Sequence, residues 1–478
     1  MKDYKITIGL EVHIQLNTKS KLFCSCSTEF GQSPNSAVCP VCMGMPGVLP
    51  VMNKKAVEYA VMMGLALNCK ISLFSKMDRK NYFYPDLPKN YQISQYDMPF
   101  AEKGYLDFYV EGERKRVGIT RVHLEEDAGK NIHSSDRNCS YVDYNRTGVP
   151  LLEVVSEPDI SSPKEAFFYL KMLRQIARYL GISDGNMEEG SLRCDANISV
   201  APVGSDKLGT KVELKNLNSF KFVQKALEYE AVRQVKLLKK GEKIIQETRL
   251  FDDSSGKTFS MRSKEEAHDY RYFPDPDLLP FVFSEEYVND VKQNIPELPL
   301  ARKERFMKEY GIPEYDADVL TSEKSIADYY EETVKICKNY KLASNWMMGE
   351  WMKEYNKLQV VDLREIKVKP DMFAELLDFL DKGKINTPTA KEVLTVMFET
   401  GEKAGSIIKT RGLEQIGDKS ELENIIKEIV EKNPKTVEDY RSGKKQAIGF
   451  FVGQVMKATK GKANPKVVNE ILRKMLGE

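Results

Sequence analysis

The chain has 478 residues, 41% hydrophobic and 30% charged, which is the mix of a globular protein with substantial cores and room for roughly three domains of about 100–200 residues. Lys and Arg (72) offset Asp and Glu (71), so nucleic-acid binding has to come from a local patch, because the chain is no global polycation. No apolar run approaches the ~20 residues of a membrane helix, no signal peptide is evident before Glu11 and His13, and eight cysteines are too sparse for a disulfide scaffold, so a reducing cytoplasm is the expected compartment.

Up to about residue 290, short β-branched and aromatic runs predict strands at Tyr4–Gln15, Leu106–Val110, Arg116–His123, Leu151–Val155, Leu192–Val200 and Thr210–Leu217. Helical periodicity interrupts them at Lys54–Leu67, Pro163–Leu180 and Phe222–Lys240. This is an α+β pattern and not a regular βαβ chain. Composition shifts near Pro274-Asp275-Pro276-Asp277, and from about Pro299 helical patterns take over, with a second break around Thr400–Gly405. The expected layout is a large α+β domain over 1–292, a helical domain over 293–405 and a small helical tail over 406–478.

Cys24-Ser25-Cys26 and Cys39-Pro40-Val41-Cys42 form two close thiol pairs. Four thiolates can close a tetrahedral shell around zinc with no open position, a structural and not a catalytic site. Buried cysteines or a redox pair would read the same way. Cys69, Cys139, Cys194 and Cys337 have no such partners in sequence and read as ordinary core or surface residues.

Acids recur at the period of a strand, where i and i+2 share a face. Glu11, His13 and Gln15 alternate with Leu10, Val12 and Ile14; Arg193, Asp195 and Asn197 do the same, as do Lys211, Glu213 and Lys215. Glu153 sits between Leu152 and Val154, and Glu125-Glu126-Asp127 follows a strand carrying His123. Solvated faces of antiparallel strands are the plain explanation. Against it, these faces combine acids with His, Arg and Asn. Such a sheet can hold hard divalent cations through oxygen ligands, and Mg²⁺ so held can bridge nucleotide phosphates while Arg and Lys offset developing charge. Neither a GxxxxGK[ST] loop nor a GxGxxG turn is present, so any use of ATP must rely on the acidic sheet.

The stretch Asp78–Tyr96 mixes basic, aromatic and amide groups with two prolines, fit either to stack bases or to plug a core as a rigid loop. Asn145–Pro150 is a rigid polar turn leading to Glu153, and Asn218 or Ser219 is placed to cap a helix. Between Arg441 and Lys474 nine basic residues, among them Lys444, Lys445, Lys457, Lys460 and Lys462, face one acid, Glu470. A phosphate-binding surface and a solvated helical face both fit that count. The apolar run Ala447–Met456 carries small residues suited to close packing.

Several of these segments occur together in one known family. Ile8–His13, Tyr82–Asp86, Tyr91–Gln95, Glu125–Lys130, Asn145–Leu151, Asp269–Pro274 and Gly449–Pro465 together resemble the B subunit of the aspartyl/glutamyl-tRNA amidotransferases, over essentially the whole chain. The resemblance implies a heterotrimer in which two partners, an amidase (the A subunit) and a small third protein (the C subunit), join this chain. In that family ATP is expected to activate the side-chain carboxylate of Glu-tRNA(Gln) or Asp-tRNA(Asn), with ammonia released from glutamine by the amidase completing the amide. It also implies that the N-terminal domain resembles the glutamine synthetase catalytic fold.

Position by position, the resemblance assigns Glu11, His13, Glu125 and Glu126 to Mg²⁺ and the activated acyl group. Glu153, Glu189 and Asp195 join them from strand geometry as well as likeness, and Arg193 and Lys215 become candidates for stabilising phosphate. Cys24, Cys26, Cys39 and Cys42 match the zinc-type members. The tail lysines become a tRNA-binding surface. The rival expectation is a zinc-bearing tRNA-binding scaffold whose chemistry resides wholly in its partners.

Overall fold

The computed structural model describes residues 3–134, 137–263, 269–358, 363–414, 419–442, 444–459 and 463–477. It forms two compact units, Met1–Ala301 and Arg302–Glu478. The division lies beyond the 292/293 boundary expected from composition.

In the first unit the strands, in chain order, are β1 (Tyr4–Gln15), β2 (Lys70–Ile71), β3 (Phe74–Ser75), β4 (Asp78–Asn81), β5 (Tyr91–Ser94) and β6 (Ala101–Val110). They continue as β7 (Glu113–Glu126), β8 (Lys130–His133), β9 (Ser140–Asp143), β10 (Pro150–Ser156) and β11 (Leu192–Pro202). The last are β12 (Val212–Lys215), β13 (Glu247–Asp252), β14 (Lys257–Ser263), β15 (Phe273–Pro274) and β16 (Phe281–Val282). Among the described residues four helices accompany them: α1 (Lys54–Ala66), α2 (Pro163–Tyr179), α3 (Phe220–Lys239) and α4 (Glu285–Gln293).

Among the described residues a nine-stranded sheet runs β14-β13-β12-β11-β1-β10-β7-β6-β2, antiparallel except for the β12/β13 pair. β1 shows why it is central. Its even-numbered apolar residues Ile8, Leu10, Val12 and Ile14 are essentially inaccessible to solvent, each worth roughly 1.5–3 kcal/mol on burial. They share one core with Leu152, Val154, Ala196, Ile198 and the apolar faces of α1, α2 and α3. The helices start at local caps: Asn53 accepts from the N–H of Lys55 and Ala56, Ser162 from Glu165, and Ser219 from Phe222. Gly181, at φ +69°, follows α2 in a conformation that disfavours other residues.

The α+β class and the large N-terminal sheet agree with expectation. Asp78–Tyr96 does not form the rigid loop considered as one reading of its prolines. β4 and β5 pair with each other, and β15 adds the third strand of a small sheet. The prolines are confined to the connection between β4 and β5, where a missing N–H breaks no ladder.

The second unit is helical: α5 (Pro299–Tyr310, entered from the first unit), α6 (Glu314–Leu320), α7 (Lys324–Cys337), α8 (Tyr340–Trp346), one π turn at Met347–Trp351, and α9 (Met352–Lys357). α10 (Pro370–Asp381), α11 (Thr387–Thr400) and α12 (Ala404–Thr410) complete its first core, which gathers around Trp351, Tyr330 and Phe373. α13 (Lys419–Glu431), α14 (Pro434–Arg441), α15 (Ile448–Ala458) and α16 (Pro465–Leu476) enclose a second core containing Leu422, Ile426, Phe451, Val455 and Leu472. The small residues Gly449 and Gly453 of α15 do not mediate close packing: nothing lies within 4 Å of a Cβ built on either.

Candidate active site

The helix-covered face of the sheet is apolar, so the odd-numbered residues of β1 emerge on the other. In the observed register His13 stands opposite Arg193 on β11 and opposite Glu153 on β10, and Glu153 stands opposite His123 on β7. Directly opposed residues share a face, so Arg193, His13, Glu153 and His123 form a row across four strands. Glu11 and Asp195 form the next row.

Side chains converge on this row. His13 Nε2 lies 3.5 Å from Glu125 Oε1 and 3.8 Å from Glu153 Oε2. His123 Nε2 lies 3.0 Å from Glu153 and 3.5 Å from Glu125. Ser94 donates to Glu125 at 3.1 Å. Arg121 reaches Glu153 at 3.8 Å. One ligand atom each from His13, Glu125 and Glu153 can be chosen so that all three lie within 4.8 Å of one another, a donor set of two carboxylates and an imidazole that fits a divalent cation.

The electrostatics suit a charged centre. Burial opposes ionisation of Glu125 and Glu153, but the neighbouring His123 and His13 hold both carboxyls below the usual range. Burial likewise opposes protonation of His123, and the two carboxylates outweigh it, lifting its pKa to about 9.

The other expected residues fall around this centre in different ways. Glu11 accepts from Asn197 Nδ2 at 2.9 Å. Asp195 pairs with Lys215 at 2.8 Å, and Lys215 also lies 3.4 Å from Glu213. Lys211 precedes β12 and so lies outside the strand that carries Glu213 and Lys215. Arg193 Nη2 lies 2.8 Å from Asp127 Oδ2, whose charge is the main cause of its raised pKa.

Two expected residues lie apart. Alternation turns Glu126 away from Glu125. It is buried, ion-paired with Lys89, and accepts from the Ile93 N–H at 2.9 Å. Glu189 is exposed in the turn before β11 and lines a cavity of about 460 Å³ with Asp184, Asn17 and Thr28. The period-two count does not extend to it because the strand begins only at Leu192. His123, which pairs with both Glu125 and Glu153, is absent from the site residues expected from sequence. Its i−2 spacing from Glu125 is the signal that could have found it.

The four thiols of Cys24, Cys26, Cys39 and Cys42 also lie within 4.8 Å of one another. Zinc–sulfur bonds of about 2.3 Å require sulfurs about 3.8 Å apart, so this donor set fits zinc. The Ser20–Ser27 bridge and the left-handed Asn35 and Gly31 fold the loop back on itself. Cys42 is drawn down to about 4 by a hydrogen bond with Cys24, helped by the nearby charge of Lys21, whose Nζ is 3.7 Å from its sulfur.

Comparison with known proteins covers nearly the whole chain. A family profile described as the GatB/GatE catalytic domain matches residues 6–289, and one described as the GatB domain matches residues 328–476. The B subunit of the aspartyl/glutamyl-tRNA(Asn/Gln) amidotransferase of Thermodesulfovibrio yellowstonii is 59% identical over 475 residues, covering 99% of this chain and 100% of that protein. Those of Caldicellulosiruptor bescii (56% over 476 residues, 99% of each chain) and Carboxydothermus hydrogenoformans (55% over 481 residues, 100% of each) are similarly related. The chain belongs to the GatB/GatE family. The catalytic-domain match takes in every strand residue of the acid-and-histidine row, and the second match takes in the tail.

In that tail, Lys444 is exposed and pairs with Asp439 at 2.9 Å, Lys445 opens a short 3₁₀ turn, and Lys457 is exposed in the last turn of α15. Lys460 and Lys462 lie outside the described residues. No helix among the described residues is long and apolar enough to cross a membrane.

Proposed function

We propose that this chain is the B subunit of a glutamine-dependent tRNA amidotransferase. In this reading it activates the side-chain carboxylate of Glu-tRNA(Gln), Asp-tRNA(Asn) or both with ATP, and amidates it with ammonia from its amidase partner. A small third protein completes the heterotrimer, and the free thiols suit a cytoplasmic setting. The observation that carries the reading is the convergence of His13, Glu125 and Glu153 on one sheet face, flanked by Arg193 and Lys215. An antiparallel sheet that presents acids for metal-assisted phosphorylation of a glutamate carboxylate is also the ground for its likeness to the glutamine synthetase catalytic fold.

Two displacements follow. A substrate carboxylate oxygen attacks the γ-phosphorus of ATP and ADP leaves; ammonia nitrogen then attacks the acyl carbon and phosphate leaves, with one ammonia proton going to solvent. His13, Glu125 and Glu153 would hold Mg²⁺, which supplies charge neutralisation at the phosphates. Glu11 and Asp195 form the adjoining row of the same face. Arg193, oriented by Asp127, and Lys215, oriented by Asp195, offset negative charge on the transferred group. The thiol cluster, with no open position, holds zinc as a brace for the loop beside β1. The exposed tail lysines meet tRNA phosphates.

The deciding experiment replaces His13 by Ala or Glu153 by Gln in the assembled complex and follows phosphate release from ATP with charged tRNA. A fall of at least roughly a hundred-fold is expected for loss of a metal ligand. Wild-type turnover would instead favour a tRNA-binding scaffold with its chemistry in the partners.

A further inference from the structure

Beside the acid-and-histidine row stands a chain of four tyrosines that the two displacements leave without a task. Tyr96 and Tyr272 stack with ring centroids 4.3 Å apart and planes inclined by 11°. Tyr272 meets Tyr270 edge-on at 6.1 Å, and Tyr270 meets Tyr82 edge-on at 5.9 Å. Tyr272 and Tyr82 are half-buried, whereas Tyr96 is 61% exposed. One of its faces lies on Tyr272 and much of its remaining surface is open to solvent.

The platform is held firmly. The Tyr96 N–H donates to Asp78 Oδ2 at 3.0 Å. Arg271, between the two inner tyrosines, takes a left-handed φ of +43°, costly for a residue with a Cβ. Asn81 fixes it there, donating from its side chain to Arg271 O at 2.8 Å and from its backbone to Tyr270 O at 2.9 Å. An exposed ring needs no such bracing merely to sit in water.

The position is as informative as the rigidity. Ser94, two residues before Tyr96, is the side chain that donates to Glu125. Burial and the carboxylates of Glu125 and Glu153 push the Tyr272 phenol upward, so the stack lies within electrostatic reach of the row. Cations accompany the rings: Lys80 Nζ is 4.8 Å from the Tyr270 centroid, and Arg121 is paired with Glu153.

We propose that Tyr96 is the stacking platform for an unpaired purine base of a substrate, seated against its open face with the attached phosphates directed toward the row. This rests on the proposed function, which requires two substrates bearing such a base, ATP and the single-stranded acceptor end of charged tRNA. A stacked base contributes through its π-face whichever molecule carries it, so the chemistry is shared and experiment separates the sources.

The test uses the full complex with Tyr96→Ala and Tyr96→Phe, varying ATP and charged tRNA separately. Tyr96→Ala is expected to raise KM for at least one substrate roughly ten-fold with kcat within two-fold, and Tyr96→Phe to keep both near wild type. A rise for ATP alone assigns the base to the nucleotide, and a rise for charged tRNA alone assigns it to the acceptor end. Titration with AMP and with a CCA-ended RNA hairpin reads the same loss without turnover. Unchanged KM values and binding, a fall in kcat alone, or equal damage from Tyr96→Phe would overturn the platform. A wild-type complex with no ATP- and tRNA-dependent phosphate release would overturn the proposed function itself, while the two binding titrations would still report on Tyr96.

Discussion

The Oε2 atom of Glu153 lies 3.0 Å from Nε2 of His123. The same oxygen is 3.8 Å from His13, so one carboxylate on β10 joins imidazoles from the strands on either side. His123 is buried and pairs with both Glu153 and Glu125, holding them in place as residues outside the ligand set commonly do. Replacing His123 by Ala should weaken Mn²⁺ binding by about 10–100-fold, measured by electron paramagnetic resonance titration. Equal affinity in variant and wild type would show that Glu153 is positioned without it.

The thiol cluster predicts metal content. The purified chain should carry about one zinc, and Cys39→Ser with Cys42→Ser should remove it and lower the melting temperature. Retention of zinc by the double variant would exclude this ligand set.

The two faces of β1 should respond in opposite ways. Leu10→Ala removes a fully buried side chain and should cost about 2–5 kcal/mol in chemical denaturation. Glu11→Gln, on the polar face, should cost under about 1 kcal/mol while impairing turnover. A comparable loss of stability from both would contradict the observed alternation.

Acid should weaken the helical unit through Glu331 and Asp328. Burial opposes their ionisation, but Arg305 and Arg302 hold Glu331, and Lys324 and Arg302 hold Asp328, below the usual carboxylate range. A depressed folded pKa gives stability that is present above the unfolded value of about 4 and is lost as pH falls through the lower folded value. Arg302→Met should therefore destabilise the unit at pH 7 by about 2 kcal/mol, after allowance for the partial exposure of Asp328, and flatten the loss of stability below about pH 4. Circular dichroism between pH 7 and 2 measures both effects, and an unchanged pH profile would sever the link.

The tail offers a salt test. Lys457 is exposed at the end of α15. Lys457→Glu should weaken tRNA binding and lower the slope of log affinity against log salt by about 1 or more. A gel-shift series in which neither changes would make Lys457 a solvated side chain only.

Much of the molecule is legible in its sequence because it is local. The β1 span, the cap at Ser219 (one of two candidates) and the helical second half follow from periodicity and end signals near each element. Placing Glu126 on the ion-binding face overlooks the alternation that separates it from Glu125. Placing Glu189 there extends a strand backwards across a turn. Asp78–Tyr96 is obscured by its prolines, since its two short strands gain their order from pairing with each other and with β15, a segment distant in sequence.

The amino-acid order by itself determined that Glu11 and His13 share a face, that Arg193 and Asp195 share a face, and that four cysteines could meet across a short loop, because strand pleat and chain reach are properties of neighbouring residues. Only the tertiary structure decided that His13 faces Glu153, that Glu153 faces His123, and that Tyr96 rests on Tyr272. Those pairs join distant segments, and their register is set by burying Leu10, Val12, Leu152 and Val154 in one core, where a slip of a single residue would turn every side chain to the wrong side of the sheet.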